Sequence, residues 1–215
     1  MLIIGAKGCA KEVLEVLHIN NNLSNIAFYD DINYFPDKKL YNQFDILTNI
    51  QEAAHFFKTK SNQFTLGIGN PILRKNLYDK FNSIGGICTS VLSKNIQIGH
   101  FGNKIEDGCN LMCGTIITND VKIGIGTLIN LNCTIAHDTI IGDFVEISPG
   151  TNVAGNCTIG NYTFIGTNAT ILPKVTIGSN VIVAAGSVVT KDIPNNCMVA
   201  GIPAVIKKEL AQITF

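Results

Sequence analysis

The chain has 215 residues, 46% of them hydrophobic and 15% charged, with sixteen basic residues against sixteen acidic ones. That is enough apolar material for one large or two small buried cores, and it excludes a disordered chain. A net charge of zero offers no general attraction to nucleic acid or to an anionic membrane, so neither is an expected partner and any ligand must be recognised locally.

The opening "MLIIGAKG" reaches glycine after four residues, which leaves no room for a secretion leader, and no later stretch gives about 18 uninterrupted apolar residues. Seven cysteines, an odd number without a CxxC, fit reduced thiols. The reading is a cytoplasmic protein.

Up to about residue 84, strand-like runs alternate with helix-like ones: "LIIG", "AKEVLEVLHI", "IAFYDD", "FTLGIGN", "PILRKNLYDKF". Such alternation predicts βαβ units on a small Rossmann-like parallel sheet. In the first helix Val13, Leu14, Val16 and Leu17 share a face opposite Lys11, Glu12 and Glu15. Residues 32–44 are polar and rich in Asn and Asp, and read as loop. "GAKG", residues 5–8, follows a strand and opens a helix, so Gly5, Ala6, Lys7 and Gly8 are candidates to hold a diphosphate on backbone amides. Asp30 and Asp31 end the second strand, where an acid meets a ribose or base, or else simply makes a turn. Gly69 and Asn70 end a third strand on the same carboxyl edge, where open α/β sheets bind ligands.

From residue 85 the helix signals stop and a period of six takes over. Residues 109–192 divide into fourteen hexads without insertion: CNLMCG, TIITND, VKIGIG, TLINLN, CTIAHD, TIIGDF, VEISPG, TNVAGN, CTIGNY, TFIGTN, ATILPK, VTIGSN, VIVAAG, SVVTKD. The third position is always Leu, Ile or Val and the first always small or β-branched. A short strand plus a turn, three to a coil, gives a parallel β-helix with the third-position side chains stacked inward. Gly and Asn at the fourth to sixth positions suit the positive φ of such turns. The predicted organisation is a domain at 1–84 and a β-helix domain with a C-terminal tail at 85–215.

This register explains Cys109, Cys133 and Cys157, which look like metal ligands by spacing but each fill a small first position. His18, His55 and His100 are dispersed, so no metal is expected. His137 stands apart. It is the fifth residue of its hexad, on an outward corner shared with Asn119 below and Gly155, Pro173 and Lys191 above, and Gly155 leaves open space over the ring. The pattern fits an exposed corner histidine as well as a functional one.

The hexad array, "AHD" within it, "SPGTNVAGN" after it and the closing "AAGSVVTKDIPNNCMVAGIPA" resemble the left-handed β-helix (hexapeptide-repeat) acyltransferases that use acetyl-CoA. With "IIGAKGCAKEVLEVL", "FYDD" and "GIGNPILRK" in front, the chain resembles the sugar acetyltransferases that N-acetylate nucleotide-linked amino sugars or O-acetylate sialic acids. The resemblance implies a homotrimer with acetyl-CoA in a groove between subunits. It implies His137 as general base, aided by Asp138, with the Gly155 amide beside the developing oxyanion. It further implies Gly166, Ala185 and Gly186 at the coenzyme backbone, with Lys191 and Lys208 at its phosphates. Glu146 stands where relatives have a histidine near the coenzyme thiol, and Lys7 and Cys9 where they have glycine and histidine.

The activity implied is transfer of acetyl to the amino group, at C4, of a UDP- or GDP-linked amino-deoxy sugar, in synthesis of surface polysaccharide or glycans. O-acetylation of a sialic acid or related sugar is the alternative, and a non-catalytic β-helix scaffold is a third.

Overall fold

In the computed structural model, which describes residues 1–214, the apolar runs of the first part become a parallel sheet. The elements are β1 (Leu2–Ile4), α1 (Gly8–Ile19), β2 (Ala27–Tyr29), β3 (Lys39–Leu40), β4 (Phe44–Leu47), α2 (Ile50–Thr59), β5 (Gln63–Leu66), α3 (Pro71–Ser83) and β6 (Ile87–Cys88). The strand order is β3-β4-β2-β1-β5-β6, with only β3 antiparallel. β3 lies inside the segment expected to be loop: Lys39 and Leu40 fold back onto Asp45 and Phe44 as a short hairpin, a long-range pairing that the local polarity hides. The last strand, β6, comes just past residue 84.

Strand alternation assigns the two sides of this sheet. Ile3 and Phe28 pack with α1, whereas Leu2, Ile4 and Tyr29 pack with Phe57 of α2 and Phe81 of α3. The helices begin where their caps allow. The Asn49 side chain accepts from the Glu52 N–H (2.9 Å) while Glu52 accepts from the Thr48 N–H (2.7 Å), and Asn70 accepts from the Leu73 N–H with Pro71 at the first helical position.

The hexads then wind as parallel strands of two residues. β7 (Val91–Leu92), β8 (Gln97–Ile98) and β9 (Lys104–Ile105) open the three faces, and strands recur every six residues from β10 (Asn110–Leu111) to β23 (Val188–Val189). Up the first face runs an inward ladder, Leu111, Ile129, Ile147, Ile165, Val183 and Val199, each paired with the next. Every first and third hexad position from Cys109 to Val189 is buried. The turn is sharper than the sequence suggests. From Gly114 to Gly186 each sixth-position residue has positive φ, including Asp138, Phe144, Tyr162 and Lys174, so the left-handed residue sits at one position rather than being spread over three. A hairpin, β24 (Cys197–Gly201) and β25 (Ala204–Glu209), closes the last coil.

The two parts share their cores. α1 lies on the first face of the β-helix, with Val91, Met112 and Leu128 packed among Val13, Val16 and Leu17. On the other side Tyr78 of α3 meets Phe144 edge-on at 5.3 Å, and Phe144 stacks on Tyr162. Arg74 is completely buried in the seam, its Nε donating to Gly126 O (2.9 Å) and its Nη1 to Leu66 O (3.0 Å) and Ile68 O (2.7 Å). Thr65 and Asn110 bond across the same seam at 3.0 Å, and Asn110 Nδ2 donates to Leu66 O.

Candidate active site

His137 follows β14 (Thr134–Ile135) and stands on the edge between the second and third faces, with its side chain exposed. The corner is clamped from both sides. Asp138 N donates to Asn119 O below (3.2 Å), and Asn156 N donates to His137 O from above (2.9 Å). The positive φ of Asp138, +59°, turns its carboxylate back to the ring, and Nδ1 lies 2.7 Å from Oδ2. With Nδ1–H donating to that carboxylate, Nε2 is left as the atom that can take a proton.

Gly155 does something other than leave an opening. A Cβ there would stand 2.6 Å from His137 Cε1 and 2.7 Å from Nε2, so the ring itself occupies the space and lies flat on the next coil. The absent side chain positions the imidazole. The Gly155 N–H takes no acceptor from the described residues, which leaves it available to an oxyanion.

The other residues expected at the coenzyme fall on different parts of the prism. Lys191 is exposed in the His137 column. Gly166, Ala185 and Gly186 lie on the neighbouring edge, between the first and second faces. Gly166 is buried under the next coil, where a Cβ would come within 2.5 Å of Ala185 N, and its N–H is bonded to Val183 O (2.8 Å). Ala185 is exposed and its N–H bonds to none of the described residues, and Gly186 has open space around it. Lys208 is exposed on β25. Glu146, on β16 (Glu146–Ile147), faces the seam with the first domain, against Gly69.

In the first domain a pocket of about 210 Å³ gathers Gly5, Ala6, Lys7, Asp30 and Asp31 with Gly67 and Ile68. Gly5 has φ +103°, and a Cβ on it would stand 2.9 Å from Gly67 O, so the β1–α1 turn and the β5–α3 loop close on one another. The two aspartates separate in role. Asp30 is buried and spent on its own turn, accepting from the Ile32 and Asn33 amides and from Asn33 Nδ2. Asp31 Oδ2 accepts from Tyr29 OH (2.7 Å) and Lys80 Nζ (3.1 Å); burial alone pushes this carboxyl up, but those two donors hold it below its ordinary range. Lys7 spans the cap of α1 with Nζ 5.1 Å above the Phe35 ring, and no side chain caps that helix start. Gly8 and Asn70 lie outside the pocket wall, Asn70 serving as the cap of α3.

Lys80, Tyr29 and Arg74 escaped the sequence reading. Lys80 lies 49 residues from Asp31 and Arg74 lies 52 from Gly126, separations at which no local pattern carries a signal. Among the described residues no cluster of three His, Cys, Asp or Glu stands close enough to hold a metal, and no helix is long and apolar enough to cross a membrane.

Comparison with known proteins places these features. Residues 1–81 match the family described as the PglD N-terminal domain, and residues 156–191 match the bacterial transferase hexapeptide repeats. No curated protein sequence matches the chain. A perosamine N-acetyltransferase from Caulobacter crescentus, solved with CoA and GDP-perosamine, is 26% identical with a TM-score of 0.88, over 97% of this chain and 96% of that one. The acetyltransferase domain of PglB from Neisseria gonorrhoeae, solved with acetyl coenzyme A, is 27% identical with a TM-score of 0.85, over 96% and 98%. WeeI from Acinetobacter baumannii is 31% identical with a TM-score of 0.86, again over 96% and 98%. A pocket at the carboxyl edge of a parallel sheet, a hexad β-helix with a His–Asp pair on its edge, and likeness over nearly the full length of such relatives lead to one conclusion: the chain belongs to the left-handed β-helix, hexapeptide-repeat sugar acetyltransferase family.

Proposed function

We propose that the protein transfers acetyl from acetyl-CoA to the amino group, at C4, of a nucleotide-linked amino-deoxy sugar, in the cytoplasm, for surface polysaccharide or glycan synthesis. The observation that carries this is the His137–Asp138 pair, locked at 2.7 Å on Gly155 in a chain whose solved relatives include one holding CoA and GDP-perosamine. The nucleotide sits in the pocket of residues 5–7, 30 and 31, with its diphosphate toward the uncapped start of α1. As the sugar nitrogen attacks the thioester carbonyl, His137 Nε2 takes its proton, the Gly155 N–H receives the developing negative charge, and the C–S bond breaks to release CoA. A thioester is already activated, so positioning, a base and one donor suffice.

One chain does not bring these parts together. The first domain is docked on the first face, and His137 stands on the edge opposite that face, between the second and third. Gly166, Ala185 and Gly186 occupy another edge. A homotrimer supplies the missing adjacency, setting the His137 edge of one subunit beside the nucleotide pocket and the Ala185 edge of the next.

The test is CoA thiol release with UDP- and GDP-linked 4-amino sugars, their hydroxyl counterparts and sialic acids, beside His137→Ala. Release with amines alone supports the reading. Turnover confined to hydroxyl acceptors moves the assignment to O-acetylation, and coenzyme binding without turnover on any acceptor makes the protein a scaffold.

A further inference from the structure

Glu146 is a carboxylate in an unusual place for an outward strand position. The same positions on the third face, Lys122, Ile140, Thr158 and Thr176, are exposed, but Glu146, on the first face with the buried Asn110 and Leu128, is only 9% exposed because the first domain covers it. Both carboxylate oxygens press on Gly69, where a Cβ would lie 2.8 and 3.0 Å from them. The one hydrogen bond it accepts is a long one, from Ser148 Oγ to Oε1 at 3.4 Å, and Oε2 accepts none from the described residues. Burial pushes this carboxyl up and the Arg74 charge nearby draws it back.

The surroundings lead from the nucleotide pocket to this residue. Gly67 and Ile68 line that pocket, and the next residue, Gly69, touches Glu146. Lys7 lines the other wall, and one turn further α1 presents Cys9 and Glu12 within electrostatic reach of Glu146. α1 ends at β7, where Asn20 Nδ2 donates to Leu92 O (2.7 Å) and Asn20 Oδ1 accepts from Lys94 N (3.1 Å). Its twelve residues span about 18 Å. Three strand spacings from β7 to β16 span about 14 Å, so the start of the helix stands level with Glu146. A nucleoside diphosphate with its phosphates at that helix start sends its sugar toward Glu146. Glu146 stands near the Glu12 carboxylate and near the Arg74 guanidinium, whose Nη2 is buried without a partner among the described residues. The gap holds two carboxylates near one guanidinium, and Oε2 is an acceptor with no donor among the described residues, which a cation with N–H groups complements.

We infer that Glu146 is the residue that selects the acceptor: its Oε2 receives the ammonium of the nucleotide-linked sugar on binding and takes up one proton, leaving a neutral nitrogen that attacks the thioester and gives its second proton to His137, and so favours aminodeoxy sugars over their hydroxyl counterparts. This rests on the acetyltransferase reading above and names the group of the substrate that is read. Calorimetric titration of a GDP- or UDP-linked 4-amino-4-deoxyhexose and of its 4-hydroxyl counterpart tests it, on the wild-type protein, Glu146→Gln and Gly69→Ala. The wild type is expected to bind the amino sugar at least about tenfold more tightly, and Glu146→Gln to bring the two within about twofold, with acetyl-CoA affinity and melting temperature unchanged. Gly69→Ala, which crowds the carboxylate, reduces the preference by a second route. An amine preference that survives in Glu146→Gln, or a loss that falls on acetyl-CoA or on both sugars alike, overturns the assignment while leaving acetyl transfer intact. Amine-selective binding abolished by Glu146→Gln in a protein that transfers no acetyl upholds the assignment and overturns the activity.

Discussion

The β-helix and the domain that precedes it hold together by opposite rules. In the β-helix each side chain meets its equivalents 18 residues away, so one six-residue rule, applied fourteen times, settles the burial of every first and third position. In the first domain nothing repeats: β1 pairs with β2 and β5, the buried guanidinium of Arg74 serves carbonyls on both sides of the seam, and α1 is packed on the β-helix. The difference teaches where chemistry can be placed. A regular stack tolerates a special residue on any outward corner, as at His137, because the inward ladder is untouched. The irregular domain builds its pocket from contacts that also maintain the fold, as at Gly5 and Gly67.

Substitutions sharpen this contrast. Ile147→Ala interrupts the inward ladder between Ile129 and Ile165 and is expected to lower stability by about 2–5 kcal/mol, read from a denaturant midpoint; a loss under about 1 kcal/mol would break the stacked picture. His137→Ala should leave melting unchanged while thiol release drops roughly 10²-fold or more, and a variant at full rate would remove the base from its role. Two glycine changes separate the regions. Gly155→Ala has ordinary φ and no conflict except with the imidazole, so turnover falls about tenfold or more through displacement of the ring while stability holds. Gly5→Ala combines φ +103° with a clash at Gly67 O, and is expected to cost about 1–3 kcal/mol of stability and weaken nucleotide binding, with acetyl-CoA affinity spared.

The smallest effect concerns the pair Asp31–Lys80, whose side chains are each more than a third exposed, so its worth stays under about 1 kcal/mol. Asp31 titrates below its ordinary value in the folded chain, so its contribution is present above about pH 4 and disappears as the pH falls through that lowered value. Lys80 titrates above its ordinary value, so its share is present below about pH 10 and is lost as the pH rises further. In Lys80→Ala both dependences should flatten in melts taken across pH, whereas unaltered profiles would show the pair to be inert.

The hexad register made the β-helix legible down to single residues. It placed Cys109, Cys133 and Cys157 in the core and His137 outside it, because first and third positions point inward by geometry alone. Second positions were not legible. Asn110, Leu128 and Glu146 are covered while Lys122, Ile140 and Thr158 are exposed, and the hexad gives all six the same outward direction. What distinguishes them is the first domain, docked on one face of three. The "GAKG" turn and the aspartates were visible as a ligand edge, but Asp30 proved to hold its own turn and Asp31 to need Tyr29 and Lys80.

Composition, the βαβ alternation and the period of six determined the class of each half and put an imidazole on an open corner, since each of these is a local or strictly periodic property of the chain. The tertiary structure alone decided that Gly155 lies against that imidazole with no room for a side chain, that Arg74 is sealed into the seam, and that Glu146 is withdrawn from solvent beside Gly69. Those outcomes depend on backbones far apart in sequence coming within a few ångströms of each other, and no short pattern of residue types encodes such an approach.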